Sequence, residues 1–199
     1  MVKFCDVNSS DRYKNKYRIP SSRLTGYNYN ANGCYYITIC TKNREHYFGE
    51  IVDHKMQLSE VGEIAKSEWL KTAELRSDMN LRLDEFIVMP NHFHSIVFIG
   101  GNQYNTGNIA CRDASARGRD AMHCVSTYKN SFSPQSKNMS SIIRGFKSAV
   151  TTYARKHSIV FAWQERFYDI IIHNNDELDR ARKYICDNPQ NWDEDECNK

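Results

Sequence analysis

Two histidines, His92 and His94, stand one residue apart inside the apolar run "IVMPNHFHSIVFIG" at 87–100. Side chains two apart on a β-strand point to the same face. Both imidazoles therefore stand together, while Phe93 turns the other way into apolar packing. Two imidazoles on one face can chelate a divalent metal without backbone adjustment. The same pattern also suits a half-exposed strand carrying two unrelated polar-face histidines. Two histidines rarely suffice, so a third ligand must come from another element. The C-terminal helix offers Tyr184 and Asn188, which share a helical face at i and i+4. Asn188 brings an amide oxygen suited to Mg²⁺ or Mn²⁺, and Tyr184 brings a phenol. Both residues also have plain structural roles: Tyr184 extends an apolar stripe, and Asn188 ends a helix before Pro189.

The elements that must position these residues are readable. "CYYITICT", 34–41, is β-branched and aromatic and reads as a strand. "HYFGEIV", 46–52, reads as a second arm after a short connection. "LSEVGEIAKSEWLKT", 58–72, reads as a helix beginning near Ser59, with Val61, Ile64, Ala65, Trp69 and Leu70 as its stripe. "LRLDEFIVM", 81–89, and "HFHSIVFIG", 92–100, form an antiparallel pair about the Pro90–Asn91 turn. "MSSIIRGFKSAVTTYARKH", 139–157, is a second helix with Ile142, Ile143, Phe146, Val150 and Tyr153 on its apolar face. "FAWQERFYDIIIHN", 161–174, reads as a strand, and "NDELDRARKYICDNP", 175–189, as a helix with an Asn cap, acids early and bases late. This order predicts an α+β fold: a ferredoxin-like antiparallel sheet (βαββαβ) with helices on one face, plus a C-terminal helix carrying Tyr184.

At 199 residues the chain is expected to form one domain with decoration. A basic and aromatic arm occupies 1–32, the domain 33–192, and an acidic solvated tail, "DEDECNK", 193–199. Residues 101–138 are polar, rich in Gly, Ser and Asn, and too long for an ordinary loop; they read as a disordered insertion. The triplet "RDA" occurs there at 112–114 and 119–121, too short a repeat to prove duplication. Cys5, Cys34, Cys40, Cys111, Cys124, Cys186 and Cys197 are scattered without the spacing of a zinc knuckle or redox pair, so free thiols are expected. No apolar stretch approaches the ~20 residues of a membrane span, and the N-terminus has no signal-peptide core. A cytoplasmic protein without a membrane partner is expected. Net charge is +3, with Lys and Arg recurring at 11–23, 142–156 and 180–183, a hint of a phosphate-bearing partner.

"MPNHFHSIV" resembles the HUH motif (His, hydrophobic, His) of the single-tyrosine transposases, in particular the REP-associated tyrosine transposases. "WQERFYDIIIHNNDELDRARKYICDNPQNW" is similar to their C-terminal segment, a Trp-Gln strand followed by a helix ending in Tyr-x-x-x-Asn-Pro. "GYNYNANGCYYITICTKNREHYFGEI" is similar to their opening strand and "IIRGFKSAVT" to their middle helix. The resemblance covers roughly 18–100 and 138–192 and skips the 101–138 insertion. It implies that His92, His94 and Asn188 bind Mg²⁺ or Mn²⁺ and that Tyr184 is the nucleophile. The implied substrate is single-stranded DNA, often hairpin-forming repeats. Cleavage would leave a 5′-phosphotyrosine and a free 3′-OH, and the stored ester would allow rejoining without ATP. A bacterial, nucleoid-associated monomer or homodimer is implied. Arg144, Lys147, Arg155 and Lys156 on the middle helix, and Arg180, Arg182 and Lys183 beside Tyr184, are the candidate DNA contacts. Two rival readings stand beside this one: a domesticated, non-transposing DNA-binding protein of the same fold, and a plain metal-dependent nuclease or RNA-binding domain.

Overall fold

Residues 32–105 and 137–198 are described in the computed structural model. Nearly all of the expected arm at 1–32 and most of the expected insertion at 101–138 lie outside the described residues. The elements run β1 (Gly33–Cys40), β2 (Gly49–Val52), β3 (Lys55–Leu58), α1 (Glu60–Leu75), β4 (Leu81–Val88), β5 (His92–Ile99), α2 (Met139–Lys156), β6 (Tyr168–Ile172) and α3 (Asn175–Asp187). β4, β5, β1 and β6 lie side by side in that order, every neighbour antiparallel. This is the strand order of two interleaved strand–helix–strand units, and it matches the ferredoxin-like sheet expected.

Alternation along β1 and β5 divides the molecule into two layers. Tyr35, Ile37 and Ile39 face the same side as Phe93 and Val97, against Trp69 of α1 and Ile142, Phe146 and Val150 of α2. Cys34 and Tyr36 face the other side with Ile96, against Ile185 of α3. The two crossover helices thus cover one face and the last helix covers the other. Trp69 centres the larger layer: its ring lies 5.0 Å from Phe93 and 5.1 Å from Phe146.

Local chemistry explains the helix starts. Ser59 accepts a hydrogen bond from the Gly62 amide at 3.1 Å, Asn138 from Ser141 at 2.9 Å, and Asn174 from Glu177 at 2.9 Å. Each cap satisfies an amide that the first turn leaves without a partner.

Three sequence expectations need correction. The arm at 46–52 is one half of a separate hairpin whose second strand, β3, the sequence reading lacks. Its turn is Asp53-His54, both with positive φ (49° and 58°). That geometry favours Asn-Gly or Asp-Gly, and His54 in place of the glycine removed the hairpin signal. The strand expected over 161–174 pairs with β1 only as Tyr168–Ile172, apart from an isolated bridge at Trp163. Arg166, in the left-handed region at φ 69°, interrupts it, and Trp163 packs among Phe48, Phe146 and Phe161 instead. The flanks of the expected insertion are folded onto the domain. Asn102 donates to the Met79 carbonyl at 2.9 Å, Asn105 donates to the Gly100 carbonyl at 2.9 Å, and Lys137 pairs with Asp78.

Trp69→Ala should remove the aromatic contact that joins α1 to both β5 and α2. A loss of about 3–5 kcal/mol is expected, read as a lowered midpoint in urea unfolding.

Candidate active site

β5 is the inner strand that carries both histidines. In its register with β1, His92 lies opposite Cys40 and His94 opposite Thr38. Both imidazoles stand on the α3 side of the sheet, their ring centres 4.4 Å apart, and both are buried. The shared face is the one the two-residue period requires.

The protonation of His92 follows from its neighbour in sequence. Asn91 is fully buried in the β4–β5 turn, and its amide nitrogen donates to the Cys197 carbonyl at 2.7 Å. That bond fixes the amide orientation, leaving Asn91 Oδ1 as an acceptor 2.8 Å from His92 Nδ1. His92 must therefore carry its proton on Nδ1 and hold a lone pair on Nε2. His94 Nδ1 is also held, 2.8 Å from the Tyr36 hydroxyl and 2.9 Å from the Thr38 hydroxyl, groups that can each donate or accept. Burial keeps both rings neutral, pulling His92 down to about 3 and His94 well below its ordinary value; each also has a nearby positive or potentially positive group, Arg44 for His92 and His92 for His94.

α3 brings the other residues. Its stripe of Leu178, Ala181 and Ile185 packs on the sheet. One position round the helix, Tyr184 sits with its ring 5.4 Å from that of His94, edge to face. Tyr184 is 43% exposed, so one side of the phenol is open to solvent. Asn188, the C-cap of α3, is 2% exposed. The structure therefore brings His92, His94, Tyr184 and Asn188 together within one chain.

Three buried atoms here have no hydrogen-bond partner among the described residues: His92 Nε2, His94 Nε2 and Asn188 Oδ1. His92 Nε2 and Asn188 Oδ1 are neutral lone-pair donors, as is His94 Nε2 when that ring carries its proton on Nδ1, and an unsatisfied buried polar atom costs about 1–3 kcal/mol. A divalent cation is the ligand that would satisfy all three at once, so the residues present fit a metal ion.

The expected acidic tail is a correction. Asp193 and Glu194 are exposed, but Asp195 is buried and belongs to this site. Its Oδ2 accepts from Asn188 Nδ2 at 2.8 Å and from the Tyr184 hydroxyl at 3.2 Å. The first bond turns the Asn188 carbonyl oxygen away from Asp195. Trp192 anchors the segment, its ring stacked on His92 at 6.0 Å and against His46 at 5.6 Å. His92, Asp195 and Cys197 also place possible ligand atoms within 4.8 Å of one another, a group that could hold a metal ion. Sequence reasoning missed Asn91, Asp195 and Cys197. The one available signal was Trp192, an aromatic residue in a polar run. Burial and the Asp195 carboxylate together push the Tyr184 phenol above its ordinary value, so it is protonated at neutral pH in this arrangement.

The basic residues lie elsewhere. Arg144, Lys147 and Arg155 line a groove of about 510 Å³ along α2, on the helix-covered side of the sheet and away from the histidines. Lys147 is half-buried there, donating to the Gln164 and Arg166 carbonyls, and burial lowers it to about 8. Lys156 is exposed at the end of α2. On α3, Arg182 is engaged by Asp84 of β4, with contacts of 2.6 and 3.2 Å, and Arg180 donates to the Asp176 carbonyl. Lys183 is exposed beside Tyr184.

An antiparallel βαββαβ sheet with two helices on one face and a third helix on the other defines the class of fold. The chain shares this fold with a REP-associated tyrosine transposase solved bound to a REP hairpin. The TM-score is 0.52 at 16% identity, over 85% of this chain and 74% of that one. In sequence it is 34% identical over 180 residues to an uncharacterized protein of Haemophilus influenzae, spanning 88% of this chain and 91% of that protein. The chain belongs to one family with that protein. No protein-family profile matches it. Among the described residues no helix is long and apolar enough to cross a membrane.

The buried histidines make metal-free stability depend on pH. His92 titrates near 6.5 when unfolded but near 3 when folded. Between those values the unfolded chain binds more protons, so stability is full above about 6.5 and is lost as pH falls toward 3. Urea midpoints measured with chelator from about pH 7 to about pH 5 should fall, and His92→Gln should flatten that slope.

Proposed function

We propose that this protein is a metal-dependent endonuclease and strand transferase acting on single-stranded DNA, with Tyr184 as nucleophile. The observation that carries the reading is the set of three buried polar atoms without partners, on His92, His94 and Asn188, beside the half-exposed Tyr184 phenol. The shared fold with a transposase solved on a REP hairpin supports hairpin-forming repeat DNA as the substrate class.

His92, His94 and Asn188 would hold the ion, Mg²⁺ or Mn²⁺. When bound, a divalent ion supplies positive charge that polarises a scissile phosphate and favours the tyrosine phenolate. The chain's own groups do the rest. Asn91 holds His92 with its lone pair presented, and Tyr36 and Thr38, accepting from Nδ1, would do the same for His94. Tyr184 Oη attacks phosphorus and its proton leaves to solvent. The bond from phosphorus to the 3′ oxygen breaks, and that oxygen takes up a proton. The products are a 5′-phosphotyrosine and a free 3′-OH. Attack by another strand's 3′-OH on the same phosphorus reverses the sequence and joins the strands. Exposed Arg180 and Lys183 on α3 would neutralise DNA phosphates beside the site, and Arg144, Arg155 and Lys156 on α2 would meet only DNA that continues round to the opposite face. Lys147 and Arg182 are held by backbone carbonyls and by Asp84, and act mainly on the fold.

Incubation of the protein and Mn²⁺ with oligonucleotides from the DNA flanking its gene should give a denaturation-resistant adduct. Tyr184→Phe should abolish the adduct and lower cleavage at least ~1,000-fold while leaving DNA binding within about twofold. His92→Ala should lower cleavage at least ~100-fold. No adduct from the unaltered protein would favour a DNA-binding protein without strand transfer, and cleavage surviving Tyr184→Phe would favour a plain nuclease.

A further inference from the structure

The C-terminal segment carries chemistry that the three neutral ligands leave unused. Cys197 and Asp195 lie against His92 with possible ligand atoms within 4.8 Å of one another. Metal bonds of about 2.0–2.3 Å bring such atoms to roughly 3.3–3.8 Å, a contraction of at most about 1.5 Å. Their positions are fixed from several sides. The Cys197 amide donates to Asp195 Oδ1 at 2.6 Å, its carbonyl accepts from Asn91 at 2.7 Å, and Trp192 stacks on the His92 ring. The second, independent observation is His92 Nε2 itself, fully buried and without a hydrogen-bond partner among the described residues.

We infer that, with this segment folded, Asp195 and Cys197 join His92 as metal ligands and make the site selective for a thiophilic ion such as Zn²⁺ over Mg²⁺. The inference rests on the reading of His92 as a metal ligand. Imidazole, carboxylate and thiolate together are a zinc-type donor set; two imidazoles and an amide already lean that way, and a thiolate strengthens the preference over Mg²⁺. On binding, the thiol proton leaves to solvent and the ion takes its place on sulfur. The same Asp195 carboxylate stays in reach of Asn188 Nδ2, so the donor set is continuous with the fourth group of the site.

The test uses the purified full chain, stripped of metal and titrated with Co²⁺ and then Zn²⁺. The expected result is a near-ultraviolet sulfur-to-cobalt charge-transfer band. It should be absent in Cys197→Ser and retained in Cys40→Ser, whose sulfur is hydrogen-bonded to Cys197 and is the rival ligand. Cys197→Ser and Asp195→Asn should each weaken Zn²⁺ binding at least ~10-fold, with Mn²⁺ binding changed much less. Circular dichroism of the metal-free variants checks folding. If Asp195→Asn unfolds, the Cys197→Ser spectrum decides. Band and Zn²⁺ affinity unchanged in Cys197→Ser, with binding still abolished by His92→Ala, overturns this inference and leaves the ion of the proposed function standing. A band that depends on Cys40 instead also overturns it. No binding of Co²⁺, Zn²⁺ or Mn²⁺ by the unaltered chain overturns both.

Discussion

The two-residue period of β5 is the constraint from which the arrangement follows. One strand must bury Phe93 and Val97 beneath α1 and α2 while burying His92, His94 and Ile96 on the opposite side. A slip of one residue would put imidazoles into the Trp69–Phe146 cluster and Phe93 against α3. Pairing on both sides, with β4 and β1, excludes that slip. The helix-side core therefore does more than stabilise the domain. It fixes which way the histidines point.

Burying two imidazoles side by side has a cost, and the surrounding groups show how it is met. Each ring satisfies one nitrogen and presents the other, through Asn91 for His92 and through Tyr36 and Thr38 for His94. The result is a neutral, oriented pair of imidazoles rather than a pair of cations. The same neutral environment works against an anionic Tyr184. Burial and Asp195 both favour its protonated form. A cation at the imidazoles would reverse that balance, so the electrostatics of the phenol and the occupancy of the histidines are linked.

The sequence disclosed what depends on local pattern. Strand alternation in "HFHSIVFIG" and the i, i+4 pair Tyr184 and Asn188 were legible because they are periodic. The helices were legible from Ser59, from the asparagine that opens "NDELDRARKYICDNP" (the observed cap, Asn174, lies one residue earlier) and from their apolar stripes. What stayed hidden depends on contacts between distant parts. Asn91 reads as a turn residue, yet its carboxamide joins His92 to Cys197, 106 positions away in the chain. Asp195 sits among exposed acids and is indistinguishable from them until Trp192 docks on His92. The Arg182–Asp84 pair, 98 residues apart, likewise gave no sign in either segment, and Arg182 read as a contact for DNA.

That last pair bears on how firmly the two halves of the site are joined. The histidines sit on an inner strand backed by the main core. α3, by contrast, buries only Ile185 fully, with Leu178 and Ala181 partly covered. Arg182 grips Asp84 from one side, and Tyr184 and Asn188 reach Asp195 from the other. An element held by so little apolar surface opens at lower free energy than the strands beneath it. The imidazole pair is thus the fixed part of the site, and the phenol belongs to a part that can shift without unfolding the sheet. Asp195 is the group most sensitive to such a shift, because a single carboxylate oxygen ties Tyr184 and Asn188 to the C-terminal segment. Movement of that segment would release the phenol and the amide together.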